Sequence, residues 1–310
     1  MTTRVPTWVL LLCAVTGCSL VGCASGRGPD LRPTDVELSP AAYCEVLSAD
    51  GLLDWSGNAA TLCPGGVDPD AFEGDPLAAD NCTVYTVDSN GGMVPTGITG
   101  ARAAQALSDG RFVVWGWDGR LTIDTDGRAT EVAPVALDPW VDPVSGKIAF
   151  IAPTAGATSL EPGDDREVML YDIPSGASMS LIVDGTASSP VPIPGTGDVL
   201  YVSSASGVAS IIRVTPTETL TLTNADANTV EQEFVPVYGR QLLFLDGGDS
   251  LVFTAEYETD VLWRLNLRTG EAEELGPGRY PALGRDGSVL AGGNTSSDAC
   301  ASHYLDGVTP

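Results

Sequence analysis

The chain has 310 residues, with 15 Lys and Arg against 41 Asp and Glu, a formal net charge of −26 and a single histidine. Such an acidic surface repels phosphate backbones and anionic lipid, which argues against nucleic acid as a partner and against a basic patch as the means of membrane attachment. The 36 glycines and 22 prolines exclude an architecture of long helices and call for many tight turns.

In chain order, an apolar run covers residues 8–22, preceded only by Arg4 and the α-amino group as positive charges. It is short of the ~20 residues that span a bilayer and suits the core of a signal peptide. Leu20-Val21-Gly22-Cys23 ends it and resembles a bacterial lipobox. That resemblance implies removal of 1–22 as signal peptide and acylation of Cys23, the new N-terminus. Val15-Thr16-Gly17-Cys18 is a weaker second match, and an ordinary secretory cut near Ala24-Ser25-Gly26 is the alternative. Asp after the cysteine marks inner-membrane retention in lipoproteins of this kind. Ala24 stands there instead, so the outer membrane is favoured, with the domain facing the periplasm or cell surface. Residues 23–33 then read as a lipidated cysteine with a flexible tether, and 34–310 as a single domain.

Cys13, Cys18 and Cys23 are five residues apart, which is no redox or metal spacing. Cys44, Cys63, Cys82 and Cys300 remain, an even count that reads as two disulfides with three pairings open. The favoured pairing is Cys63–Cys82, which brackets an insert rich in Gly, Pro and Asp, with Cys44–Cys300. Four buried free thiols are the alternative. Within the insert, "DPDAFEGDPLAAD" (68–80) offers Asp68, Asp70, Glu73 and Asp75 as weak calcium candidates. Phe72 falls where an EF-hand loop needs an oxygen, and Pro69 and Pro76 suit a solvated loop.

No amphipathic run of helical period follows the signal. Short β-branched and aromatic runs appear instead, among them "RFVVWG", "KIAFIA", "DVLYVS" and "SLVFTA". Such runs follow turn glycines at Gly51, Gly110, Gly146, Gly197, Gly248 and Gly287, about 47 residues per step, and each is read as the inner strand of a unit. Hairpins alternate with them, turning at Gly91, Gly127, Gly176, Pro216 and Gly270, and a last turn follows at Asp306-Gly307. This alternation predicts an all-β, six-bladed β-propeller. Five blades are the alternative, because "QLLFLDGGDSLVF" reads as an extra hairpin and leaves Gly239 or Gly248 as the fifth mark. A β-sandwich shows no such period. The last unit runs out of chain after "SHYLD", so "TDVELS" (34–39) is expected to supply its outer fourth strand, with Cys44–Cys300 stapling the junction.

"PWVDPVSGKIAFIA" (139–152) followed by "EVMLYDIPSG" (167–176) resembles a blade of the TolB-like (WD40-like) propellers. Their repeats run Pro-Asp-Gly-Lys, a strand, then Tyr or Trp, Asp and a turn. Elsewhere Asp-Gly recurs at 50–51, 109–110 and 286–287 without the Ser-Pro before it, so the resemblance over 35–310 is one of pattern. TolB proper carries an α/β domain ahead of its propeller and no lipid anchor, so its role in the Tol system is not implied. The lipid-anchored layout is similar to that of envelope scaffold lipoproteins.

Catalytic signatures are sparse. There is no Gly-x-Ser-x-Gly elbow, and no GxGxxG or Walker loop follows a strand. Any histidine-based site depends on His303, which reads as an ordinary strand residue. Trp115 and Trp117 share one side of a strand and could stack on a sugar, although core packing is the better reading. The expected function is a non-catalytic envelope lipoprotein that binds a protein or glycan and has no cofactor. The alternative is a carboxylate-based glycosidase or lyase acting on polysaccharide.

Overall fold

The computed structural model describes residues 37–49, 52–56, 58–63, 81–142, 145–154, 165–205, 210–224, 242–255, 261–285, 287–292 and 303–305. Six antiparallel sheets follow one another, each a meander of strands paired in sequence order. The first sheet holds β1 (Leu52–Ser56), β2 (Ala59–Leu62), β3 (Thr83–Val87) and β4 (Met93–Thr99). The second holds β5 (Ala101–Ala106), β6 (Phe112–Gly116), β7 (Leu121–Thr125) and β8 (Arg128–Ala133). In the third are β9 (Leu137–Asp142), β10 (Lys147–Pro153), β11 (Arg166–Asp172) and β12 (Ala177–Val183). In the fourth are β13 (Ser188–Pro192), β14 (Val199–Ser203), β15 (Ser210–Val214) and β16 (Thr219–Asn224). The fifth comprises β17 (Leu242–Leu245), β18 (Ser250–Ala255), β19 (Val261–Asn266) and β20 (Ala272–Pro277). The sixth shows three strands among the described residues, β21 (Arg279–Leu283), β22 (Val289–Gly292) and β23 (His303–Leu305). Five four-stranded blades and a three-stranded sheet thus make an all-β propeller.

The core consists of the interfaces between consecutive sheets. Val84 and Val114 meet between the first and second, Trp115 and Ile148 between the second and third, and Ile151 and Val199 between the third and fourth. Leu200 meets Phe253 between the fourth and fifth, and Leu262 meets Val289 between the fifth and sixth. Tyr43, Ala60 and Leu290 join the sixth sheet back to the first. Central strands are buried on both faces. On β10, Ile148 and Phe150 face the second sheet, while Ala149 and Ile151 face the fourth. That two-sided burial is why such strands read as unbroken apolar runs, each large side chain adding about 1.5–3 kcal/mol. Outer strands carry a bulge whose extra residue turns inward: Val132 on β8, Leu181 on β12, Leu222 on β16 and Leu275 on β20.

Several expectations need correction. The strand after Gly110, Gly146, Gly197, Gly248 and Gly287 is the second of its sheet, not the innermost; these glycines sit in the first hairpin. Gly51 precedes β1, so the first sheet is offset by one strand. "QLLFLDGGDSLVF" is the ordinary β17–β18 hairpin around a 3-10 turn at Asp246–Gly248. A helix also forms where none was expected, α1 (Pro40–Leu47). Ser39 caps it by accepting from the Ala42 N–H at 3.2 Å, and Pro40 occupies its first turn. Two helical turns are too short for a period to show in the sequence.

The described part of the 34–39 segment, residues 37–39, does not form an outer strand, and residues 34–36 lie outside the described residues. Leu38 makes a parallel bridge to Gly284, its N–H donating to the Leu283 carbonyl at 3.0 Å and its own carbonyl accepting from Arg285 N at 3.2 Å. It therefore lies along β21, whose other edge pairs with β22, and not beside β23. The physical reason is burial: Leu38, Ala42, Tyr43 and Val46 fill the gap between the sixth and first sheets. The Tyr43 hydroxyl donates to the Tyr280 carbonyl at 2.9 Å, and burial pushes that hydroxyl's pKa up, keeping it a donor. Arg285 reaches across to the Ser89 carbonyl and to Asn90 Oδ1, closing the ring from the turn side.

Candidate functional site

A meander of four strands sorts its connections. First-to-second and third-to-fourth hairpins turn on one face, where nearly all the glycine marks lie. Second-to-third connections and the crossings between blades leave from the other, where β2, β10 and β16 end. The innermost strands begin on this connection face, and four of them begin with a bulge. The irregular residues include Arg102 on β5, Asp138 on β9, Ser189 on β13 and Tyr280 on β21. Asp138, Ser189 and Tyr280 adopt φ of +47°, +48° and +58°, and each is followed by a proline. A left-handed backbone at a non-glycine residue costs about 1–2 kcal/mol, so the surrounding sheets must enforce it.

The polar groups here tie neighbouring blades together. Asp138 Oδ2 accepts from Ser189 N at 3.3 Å, linking the third and fourth blades. Near the far ends of β5 and β9, Gln105 Oε1 accepts from Val141 N at 2.6 Å, linking the second and third. Toward the turn face, Asp142 is 1% exposed and accepts from Gly195 N at 2.9 Å and from the Ser145 hydroxyl. The Arg102 guanidinium lies 4.5 Å from the ring centroid of Trp115 and 5.5 Å from that of Trp117, within cation–π range of both.

Asp184 organises the crossing from the third to the fourth blade. Its Oδ1 accepts from Thr186 N at 2.9 Å and from the Thr186 hydroxyl at 2.8 Å. Burial works against its charge, but hydrogen bonds from Ser203, Thr186 and Tyr201 outweigh it and hold the carboxyl below its ordinary range. Tyr201 is pushed up to about 12, first by burial and then by the Asp184 charge. Chemically this is a saturated carboxylate, suited to holding a corner.

No family model matches the sequence, and no curated protein matches it. Among solved structures, TolB from Acinetobacter baumannii matches over 70% of this chain and 55% of its own, with a TM-score of 0.51 and 13% identity. The fold is that of the TolB-like propellers. This chain spans about half the length of that TolB. An oligogalacturonate lyase in complex with manganese matches at 12% identity and a TM-score of 0.48, over 70% of this chain and 66% of its own. A puromycin-hydrolyzing peptidase from Mycobacterium tuberculosis matches at 14% and 0.49, over 88% and 56%. At such identities the likeness is one of fold alone, and these neighbours include enzymes as well as TolB.

On the TolB-like frame the sequence candidates separate. Trp115 is 2% exposed and belongs to the core between the second and third blades, so its ring is not a sugar platform. Trp117 is half-buried just beyond β6 and shares the Arg102 guanidinium with Trp115. Cys63 and Cys82 are joined by a disulfide. Cys44 is also disulfide-bonded, while its expected partner Cys300 lies outside the described residues. Cys23, Asp68, Asp70, Glu73 and Asp75 lie outside them too. Among the described residues there is no group of three metal-ligating side chains, and no helix long and apolar enough to cross a membrane. His303 is placed only as backbone of β23. The bulged inner-strand starts escaped the sequence reading. Their signal was present: Asp138-Pro139, Ser189-Pro190 and Tyr280-Pro281 each stand a few residues ahead of a glycine mark.

Proposed function

We propose that this chain is a non-catalytic lipoprotein of the bacterial cell envelope, anchored through acylated Cys23, whose TolB-like propeller binds a protein or glycan partner on its connection face. One observation carries the reading against catalysis: three described carboxylates beside the inner strands, Asp138, Asp142 and Asp184, already accept from donors of the fold. Asp138 caps Ser189, Asp142 caps Gly195, and Asp184 is saturated by Thr186, Ser203 and Tyr201. A catalytic pair of acids needs one carboxyl free to protonate a leaving group. The lipobox at Leu20–Cys23 supports the anchor, and Ala24 supports the outer membrane. The net charge of −26 keeps nucleic acid and anionic lipid from being the partner.

The test is photo-crosslinking in cells from single sites on the two faces. A benzoyl-phenylalanine at Asp118, exposed in the β6–β7 turn on the connection face, should give discrete adducts, and one at Ser175 on the turn face should not. Equal adducts from both sites would refute the choice of face. Release of reducing or unsaturated ends from an envelope polysaccharide by the purified protein would replace binding with the lyase or glycosidase reading.

A further inference from the structure

An outer strand of a propeller blade is an edge, with a row of main-chain N–H and C=O groups facing outward, and proteins blunt such edges with charge, proline or cover. In this chain four outer strands do so. β4 contains Pro95 and Gly97, β8 carries Arg128 and Glu131, and β20 carries Glu273, Glu274 and Pro277. β16 has no charge, but the turn of the next blade sits against it, so close that a Cβ on Gly270 would come within 2.6 Å of the Leu222 carbonyl oxygen.

β12 is the exception. Its sequence, Ala-Ser-Met-Ser-Leu-Ile-Val, has no charge and no proline. It ends the third sheet in the order β12-β11-β10-β9, and its first four residues are exposed. Met179 is 42% and Val183 55% exposed; among the described residues only Val94 on β4 and Leu220 on β16 join them as exposed large apolar side chains, and β12 alone carries two. The bulge at Leu181 is shared by the other outer strands and leaves Ala177–Ser180 regular. Residues 173–183 contain no charged side chain in a chain of net −26, and carboxylates stand at both ends, Asp172 and Asp184. Asp172 is turned onto Ser175, and Asp184 is held ionised by its donors.

We propose that the open edge of β12 docks an extended segment of a partner protein, uncharged in its middle and bracketed by Lys or Arg, which adds to the third blade as a fifth strand. Strand addition draws affinity from main-chain hydrogen bonds and register from alternate side chains. The flanking carboxylates select basic flanks on the incoming strand. A second copy of this chain fits less well. It brings another −26, and two seven-residue edges pairing alone bury less than the ~1,200 Å² of a stable interface. The edge lies three strands outward from the inner-strand starts, so this inference stands independently of the partner proposed for the connection face.

The experiment uses the full chain in detergent and a fluorescent peptide of six alternating Thr and Val residues with two Lys at each end. A twin peptide of equal charge has proline at a central position. Anisotropy should show saturable binding of the first peptide and about tenfold weaker binding of the twin, since proline removes a donor. Met179→Lys should weaken the first peptide by about tenfold, whereas Thr130→Lys on the already charged β8 should not. Hydrogen exchange on the unmodified protein should slow at amides within 177–183 when peptide binds and stay unchanged in β8. Equal binding of both peptides reduces the effect to charge attraction and overturns the proposal. So does undiminished binding by Met179→Lys, absence of slowed amides, or self-association in sedimentation that Met179→Lys abolishes.

Discussion

Two glycines isolate what α1 contributes to ring closure. Gly91 and Gly127 occupy equivalent turns, β3–β4 and β7–β8, with φ of +81° and +79°. Alanine at either position strains the backbone by the same amount, about 1 kcal/mol net once the stiffer unfolded chain is allowed for. Their surroundings differ. Nothing lies within 4 Å of a Cβ built on Gly127, whereas one on Gly91 would sit 2.6 Å from the Ala42 carbonyl oxygen and 2.9 Å from its Cα. Those are backbone atoms of α1 and cannot rotate away, so the helix must shift, and overpacking of this kind costs about 1–3 kcal/mol. Gly91→Ala should therefore lose about 2 kcal/mol more than Gly127→Ala, a Tm difference of about 4–8 °C for a domain of this size. Urea titrations of both variants should agree in slope and differ in midpoint. Hydrogen exchange in Gly91→Ala should quicken in β2, β21 and β22, which share the Tyr43 cluster. Equal losses in the two variants would mean that α1 does not bear on the first blade, and the account of closure would fail.

Cys82→Ser should cost about 3 kcal/mol by chain-entropy reasoning, because the bond spans 19 residues; a loss below about 1 kcal/mol by urea denaturation would reject a stabilising role. Asp184→Asn tests the corner carboxylate by pH. A folded value depressed below the ordinary 3.8 gives stability that is present above that value and lost as pH falls through the folded one. The gap between wild type and variant should thus be full at pH 7 and close as pH falls through the depressed folded value, and a gap that persists in strong acid would show that the carboxylate's charge is not what matters. Cys23→Ser should abolish incorporation of an acyl label and block normal signal removal, while undiminished labelling would move the anchor to Cys18.

The blades were legible because their central strands are buried on both sides, and double burial writes itself as runs such as "KIAFIA" behind a turn glycine. The position of each strand within its blade was not. A glycine turn marks a hairpin without saying which, and only the pairing of β21 with β22 and of β9 with β10 shows that the marks fall in the first. The Cys63–Cys82 bond was readable from a bracketed insert, since a long connection with a cysteine at each end has few other uses. α1 was missed for a different reason. Eight residues of modest amphipathicity hold their shape through Ser39 and through burial of Tyr43 against distant strands, a tertiary cause that local periodicity does not record.

That same cause decides how the ring is closed. A fourth strand beside β23 would have joined the ends by one ladder at the rim, where main-chain bonds compete with water. Leu38 and α1 instead close it from the inner side, where Tyr43 reaches the Tyr280 carbonyl at a bulge already forced into φ +58°. Left-handed Tyr280 and left-handed Ser189 then serve related ends. Each turns a main-chain group of an inner strand toward a neighbour, the Tyr280 carbonyl toward α1 and the Ser189 amide toward Asp138. The strain at these starts is held by contacts between elements rather than within them, so a blade taken alone would relax it. The inner strands are thus tied to their neighbours, while Asp118 in the β6–β7 connection and Met179 on an outer edge are exposed. Substitutions at Asp138, Ser189 or Tyr43 should act through stability, and substitutions at Asp118 or Met179 through binding.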